Sequence, residues 1–208
     1  MITRKIYWRT FFKQGIKENK DNYGNALVCG FQGSGKTYFA VFWTLQQIKE
    51  NKNYKVKTNI KSLKINEEMG ENREVEYFTN LDEIIYDTQQ YTIYVIDEVS
   101  RAYDKTSKTD KQFYAFLQQS RKMHRIVLLI TQELKEVPMW LRRPLRFIYT
   151  TNKIPFTSLF KTTLSDAQNG ILNKDTLEWE YPIIATYTYK RIKDIAKKYD
   201  TFEAIASL

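Results

Sequence analysis

The chain has 208 residues, a formal net charge of +9 and a single cysteine. Its length suits one domain with a sizeable core, and its content of 42% hydrophobic and 15% aromatic residues argues against disorder. One cysteine excludes an internal disulfide framework and fits a reducing compartment, and no apolar run reaches the ~20 residues of a membrane-spanning helix.

Residues 1–24 are a basic and aromatic arm, with Tyr7, Trp8, Arg9, Phe11, Phe12 and Lys13. They lack the apolar core of a signal peptide. The arm is expected to pack on its own domain or on a neighbouring subunit. Residues 25–208 are expected to form one domain, with a strand-rich extension from about 146.

Ala26–Cys29 reads as a short buried strand, with Cys29 as a small core residue rather than a nucleophile. Gly30-Phe31-Gln32-Gly33-Ser34-Gly35-Lys36-Thr37 then matches the phosphate-loop pattern G-x-x-x-x-G-K-[ST] at every fixed position. Three of the chain's 7 glycines fall in these residues, so the freedom for a tight, ligand-hugging turn is concentrated here. A helix is predicted to begin at Thr37, giving the strand–loop–helix context that the motif requires. Backbone N–H groups around Gly33–Lys36, together with the helix N-terminus, would face a phosphate. Lys36 would reach the β- and γ-phosphates, and Thr37 would ligate Mg²⁺. Gly30, Gln32, Gly33, Ser34, Gly35, Lys36, Thr37 and Tyr38 are the expected contacts to ATP.

Tyr54–Asn59 and Val75–Phe78 are predicted strands, with residues 61–78 a polar, acidic connection. Asn80 and Glu83 form a capping-box pair that starts a helix. Tyr91–Ile96 is rich in β-branched and aromatic residues and reads as a strand. It ends in Asp97-Glu98. In phosphate-loop ATPases such a pair serves two roles: Asp97 would hold Mg²⁺ through water, and Glu98 would polarise the attacking water. A Glu directly after the Asp marks the branch with a catalytic glutamate and an additional strand between the two motifs. Tyr54–Asn59 and Val75–Phe78 are both candidates for that region.

Residues 101–110 read as a mobile polar loop. Lys111–His124 is a predicted helix with Phe113, Phe116 and Leu117 on one side. Ile126–Thr131 is a continuous apolar run, as in a strand covered on both faces. At its tip Gln132 could sense the γ-phosphate or position water; the competing reading of Thr131-Gln132 is a turn cap. Arg121, Arg125, Arg142, Arg143 and Arg146 are candidates for a residue that acts on a neighbouring subunit's γ-phosphate, with Arg142 and Arg143 leading. His124, the only histidine, reads as a helix-end residue. Arg146–Thr151 and Ile183–Tyr189 are strand-like, and Lys190–Tyr199 a closing helix. Alternating strands and helices predict an α/β three-layer sandwich with a mainly parallel sheet.

Charge is polarised along the chain. Glu67–Glu98 holds ten acidic residues and one basic one, whereas Arg101–Lys153 holds twelve basic and four acidic. A basic stretch attracts polyanions, nucleic acid above all.

Several segments together resemble one family. Gly33–Val41, Val56-Lys57-Thr58-Asn59-Ile60, Ile96-Asp97-Glu98, Ser120–Arg125 with Leu129-Ile130-Thr131-Gln132, and Trp140-Leu141-Arg142-Arg143 resemble the zonular occludens toxin-like assembly ATPases of filamentous phages. These segments span roughly residues 26–150. That family is similar to the larger FtsK–HerA group of DNA translocases, which includes viral genome-packaging ATPases. The resemblance implies a homo-oligomeric ring, of five or six subunits, that moves DNA by hydrolysing ATP with Mg²⁺. The filamentous-phage proteins carry a membrane segment after the ATPase domain and this sequence shows none, which favours the packaging branch. A viral capsid or portal-vertex protein is then the expected docking partner, in the cytoplasm of the infected host cell or at a virion vertex. The alternatives are an assembly ATPase without its anchor, a helicase-loader-like replication ATPase, and a non-catalytic nucleotide-gated DNA-binding scaffold.

Overall fold

In the computed structural model, residues 23–69, 74–99 and 107–200 are described. The arm over residues 1–22 and the first part of the predicted loop, residues 101–106, lie outside them. The strands are β1 (Gly24–Cys29), β2 (Lys55–Thr58), β3 (Glu76–Tyr77), β4 (Thr92–Ile96), β5 (Ile126–Thr131), β6 (Leu145–Lys153), β7 (Leu159–Asp166), β8 (Ile171–Leu172), β9 (Trp179–Glu180) and β10 (Ile183–Lys190). The helices are α1 (Lys36–Glu50), α2 (Asn66–Met69), α3 (Asp82–Ile85), α4 (Ser107–Gln119), α5 (Met139–Arg142) and α6 (Lys193–Ala196).

Eight strands form one sheet in the order β10-β7-β6-β1-β5-β4-β2-β3. The run from β6 to β3 is parallel; β7 runs antiparallel to both β6 and β10. Strand alternation sends neighbouring residues to opposite faces, and the core divides accordingly. Ala26, Val28, Val95, Leu128 and Ile130 pack with Phe39, Phe42, Leu45 and Ile48 of α1. Leu27, Tyr94, Ile96, Val127 and Leu129 pack with Ile84 of α3, Phe113, Phe116 and Leu117 of α4, and Leu141 of α5. This is the predicted three-layer sandwich.

The additional strand is neither of the two candidate segments. It is β5, late in the sequence, which lies between β1 and β4. β2 and β3 lie beyond β4, on its far side. The predicted acidic connection is also more than a linker, because Leu63, Ile65 and Met69 are buried against α1. The end of the predicted polar loop is helical, since α4 already begins at Ser107. The capping box at Asn80 and Glu83 is formed: each backbone N–H donates to the other residue's side chain at 3.3 Å.

β6 opens the strand-rich stretch expected from about 146 and pairs directly with β1. The expected closing helix shrinks to Lys193–Ala196, because β10 continues through Lys190. Among the described residues, no helix is long and apolar enough to cross a membrane.

Candidate nucleotide-hydrolysis site

β1 ends in the phosphate loop, whose turn is set by left-handed glycines at Gly33 (φ 75°) and Gly35 (φ 89°). Two close approaches hold the loop in place. A Cβ on Gly30 would lie 2.2 Å from the Thr151 carbonyl oxygen, and one on Gly35 would lie 2.7 Å from the Phe160 ring. The loop is therefore packed tightly against β6 and β7. The buried Ser34 hydroxyl lies 3.0 Å from that of Thr151, and Thr151 donates to the Cys29 carbonyl at 3.3 Å. The Gly30 N–H donates to the Gln132 carbonyl at 3.0 Å, tying the loop to the tip of β5.

Lys36, at the start of α1, donates from Nζ to the Phe31 carbonyl at 3.2 Å. Burial pushes its pKa below the ordinary lysine value, and Asp97 and Glu98 partly offset that. The next residue, Thr37, donates from Oγ1 to Asp97 Oδ2 at 3.1 Å. The phosphate loop and the acidic strand tip, sixty residues apart in sequence, thus meet directly.

Asp97 is held from a second side by Asn59, just past β2. Asn59 Nδ2 donates to the Asp97 carbonyl at 2.9 Å, and the Asp97 N–H donates to Asn59 Oδ1 at 2.7 Å. Burial raises the Asp97 carboxyl above the usual carboxylate range, opposed by bonds from the Glu98 N–H and Thr37. The next residue, Glu98, has φ 49°. That left-handed conformation costs a non-glycine residue about 1–3 kcal/mol, and such outliers cluster at active sites. It turns the chain sharply at the end of β4, and the Glu98 N–H donates to Asp97 Oδ1 at 2.9 Å.

The Thr37 hydroxyl and the Asp97 carboxylate are hard oxygen donors side by side, the type that Mg²⁺ takes. The residues present therefore fit that ion.

Gln132 sits where expected, exposed at the tip of β5 next to the loop. Thr131 takes the capping role instead, donating to Glu136 Oε2 at 2.9 Å in the turn that follows. Tyr38 follows Thr37 on α1. Its ring is buried and stacks with Phe42, Phe160 and Tyr189, and its hydroxyl accepts the Ile192 N–H at 3.0 Å. The ring supports the loop from behind, which leaves the backbone N–H of Tyr38, in the first turn of α1, as its group for a phosphate contact.

The arginines sort differently from the sequence reading. Arg125 is buried. It donates to the Gln89 and Asp87 carbonyls and lies over the Tyr94 and Phe116 rings, so it cannot act on another subunit. Arg142 and Arg143 precede β6, whose Leu145 pairs with Asn25 at the start of β1. They therefore sit at the opposite end of the sheet from the loop. From Asn25 to Gly30, five residues on at ~3.3 Å per residue, the separation is about 17 Å, which places them away from their own chain's site. Arg142 also donates to the Val137 carbonyl at 2.7 Å. His124 stacks on Tyr91 just after α4, as a structural residue. Burial pushes the Cys29 thiol up, consistent with a core residue.

Asn59 is the residue that sequence reading passed over as a functional one. Its signals in the sequence were a carboxamide directly after a predicted strand and its place inside the Val56–Ile60 segment that carries the family resemblance.

The fold and the site define a phosphate-loop NTPase of the additional-strand, catalytic-glutamate arrangement. A family model described as zonular occludens toxin (Zot) matches residues 26–169. The chain belongs to that family. Three solved structures share the fold. The N-terminal domain of zonular occludens toxin from Neisseria meningitidis is 19% identical over 85% of this chain and 98% of that one, with a TM-score of 0.52. A DnaB-like replicative helicase is 13% identical over 86% of this chain and 61% of that one, with a TM-score of 0.52. B204, the DNA-packaging ATPase from Sulfolobus turreted icosahedral virus, is 11% identical over 76% and 96%, with a TM-score of 0.51. At such identities the likeness is one of fold. No curated protein sequence matches the chain.

Proposed function

We propose that this chain is an ATP-hydrolysing DNA translocase that packages a viral genome into a preformed capsid. The observation that carries the reading is the meeting of Thr37 and Asp97 beside a left-handed Glu98, across an inserted β5. A nucleotide-binding loop alone needs no acid at this point; hydrolysis does.

The loop N–H groups and Lys36 bind and orient the phosphates. Mg²⁺, held by Thr37 and Asp97, supplies neutralisation of phosphate charge when bound. Glu98 accepts the proton of the attacking water, and Gln132 stands at the neighbouring strand tip to orient it. An arginine from the adjacent subunit completes the site in a ring of five or six, and Arg142 and Arg143 remain the candidates for action in trans. The basic stretch after Arg101 suits a DNA cargo, and B204, of the same fold, is a DNA-packaging ATPase. A capsid or portal-vertex protein would anchor the ring in the infected host cell.

A second reading has its own support. The family match to zonular occludens toxin favours a phage assembly and export ATPase.

Steady-state ATPase assays with Mg²⁺, with and without single- and double-stranded DNA, test the enzyme reading. DNA-stimulated turnover is expected, and Glu98→Gln should lower it about 10²–10⁴-fold while retaining nucleotide. Undiminished turnover in Glu98→Gln or Lys36→Ala would overturn it. Nuclease protection of DNA by purified shells in the presence of ATP separates packaging from export.

A further inference from the structure

We infer that the three strand ends of β6, β7 and β10 form the surface that grips the nucleic acid and passes its movement to the phosphate loop. This rests on the DNA reading above and adds the place of contact.

The surface combines three features. The first is charge. Residues 151–165 contain Lys153 and Lys161, residues 183–193 contain Lys190, Arg191 and Lys193, and neither stretch contains an acid. The second is register. Lys161 pairs with Asn152 on one side and Thr188 on the other, and Lys190 pairs with Leu159. Cross-strand partners share a face, so Asn152, Lys161, Thr188 and Lys190 lie together, and all four are exposed. The opposite face of the same strands is buried, through Phe160, Thr162, Tyr187 and Tyr189. The open face thus offers ammonium, hydroxyl and carboxamide groups, the types that contact phosphates. The third feature is the tip of the β6–β7 turn, where Phe156 is fully exposed at φ 59°. An aromatic ring beside lysines is a stacking platform for bases.

The surface is mechanically joined to the nucleotide site. Next to the β6–β7 turn, Thr151 meets Ser34 at 3.0 Å and the Phe160 ring fills the space beside Gly35. The end of β10 is tied to α1 by the Ile192–Tyr38 hydrogen bond. A shift of the loop on hydrolysis would therefore be transmitted to the lysines and to Phe156.

The test is fluorescence anisotropy of labelled single- and double-stranded oligonucleotides on the full chain. The variants are Phe156→Ala and the double variant Lys161→Ala/Lys190→Ala, with the matching Lys→Arg double as control. The alanine double should weaken binding at least tenfold and flatten the slope of log affinity against log salt by about 2, near 0.9 per lost phosphate contact. Phe156→Ala should weaken single-strand binding several-fold. Both should lose DNA stimulation of ATP hydrolysis while keeping basal turnover, and the arginine double should bind as wild type. Wild-type binding by both alanine variants overturns this surface alone. Failure of the wild-type chain to bind either form overturns the DNA reading with it.

Discussion

The Asn59 carboxamide and the Asp97 backbone form a closed two-bond ring, with contacts of 2.9 and 2.7 Å. It continues the β2–β4 ladder by one step, using a side chain where the backbone pairing of Thr58 with Val95 stops. The carboxylate of Asp97 and the turn at Glu98 are thereby fixed relative to the sheet.

Asn59→Ala should lower kcat about 10–100-fold, the scale of a ~1 Å misplacement of a catalytic group. Nucleotide affinity should change little, because the phosphate loop is untouched. Comparing kcat and KM with the binding of a fluorescent ADP analogue checks this. A parallel loss of binding and thermal stability would mean that Asn59 is only structural.

Asp97→Asn should abolish turnover yet stabilise the nucleotide-free protein. The folded-state pKa of Asp97 is raised by burial. Its contribution to stability is therefore present below the unfolded carboxylate pKa and is lost as pH rises through the folded one. At neutral pH the buried charge is a net cost, and the neutral amide removes it. A thermal melt at pH 7 should shift upward, with each 1 kcal/mol worth about 2–4 °C in a chain of this size. The gain should vanish at acid pH, where the wild-type carboxyl is itself protonated.

Lys36 has the reverse sign. Burial lowers its folded pKa, so its ammonium is lost at a lower pH than an exposed lysine's. ATP affinity should fall on the alkaline side earlier than for a surface lysine–phosphate pair, as the charge facing the phosphates disappears. Titration calorimetry with ATP from neutral to alkaline pH measures it. Within the protein's stable range, an affinity flat to the ordinary lysine pKa would contradict this.

Gly35 and Phe160 should be coupled. Gly35→Ala puts a methyl into the Phe160 ring and an alanine at φ 89°. Phe160→Ala removes the clash but not the backbone strain. The double variant should be less destabilised than the sum of the two single variants, by about 1–2 kcal/mol on the overpacking scale. A double-mutant cycle by urea unfolding checks it, and strict additivity would show that the two do not interact.

Much of the fold was legible because its signals are local. Ile126–Thr131 was bounded correctly as a strand, since a fully apolar run must be covered on both faces. The loop, Thr37, Asp97 and Glu98 were legible as motifs. β7 and the β8–β9 hairpin were missed: Leu159–Asp166 mixes threonine, serine and lysine because only one of its faces is buried. The closing helix was over-read because the charged 190–199 stretch looks helical, whereas Tyr187 and Tyr189 gain more from packing on α1 in a strand. The burial of Arg125 and of the Tyr38 ring was not legible, because residue type does not reveal burial.

Order along the chain was enough for the nucleotide chemistry: glycine spacing, one lysine, one threonine and an acidic pair are covalent facts that a short window displays. Three relations emerged only on folding. They are which strand lies between the two motifs, the clamp of Asn59 on Asp97, and the place of Arg142 and Arg143 at the far end of the sheet. Each joins segments far apart in sequence. Each is set by which apolar faces pack together, and no short window of residues carries that information.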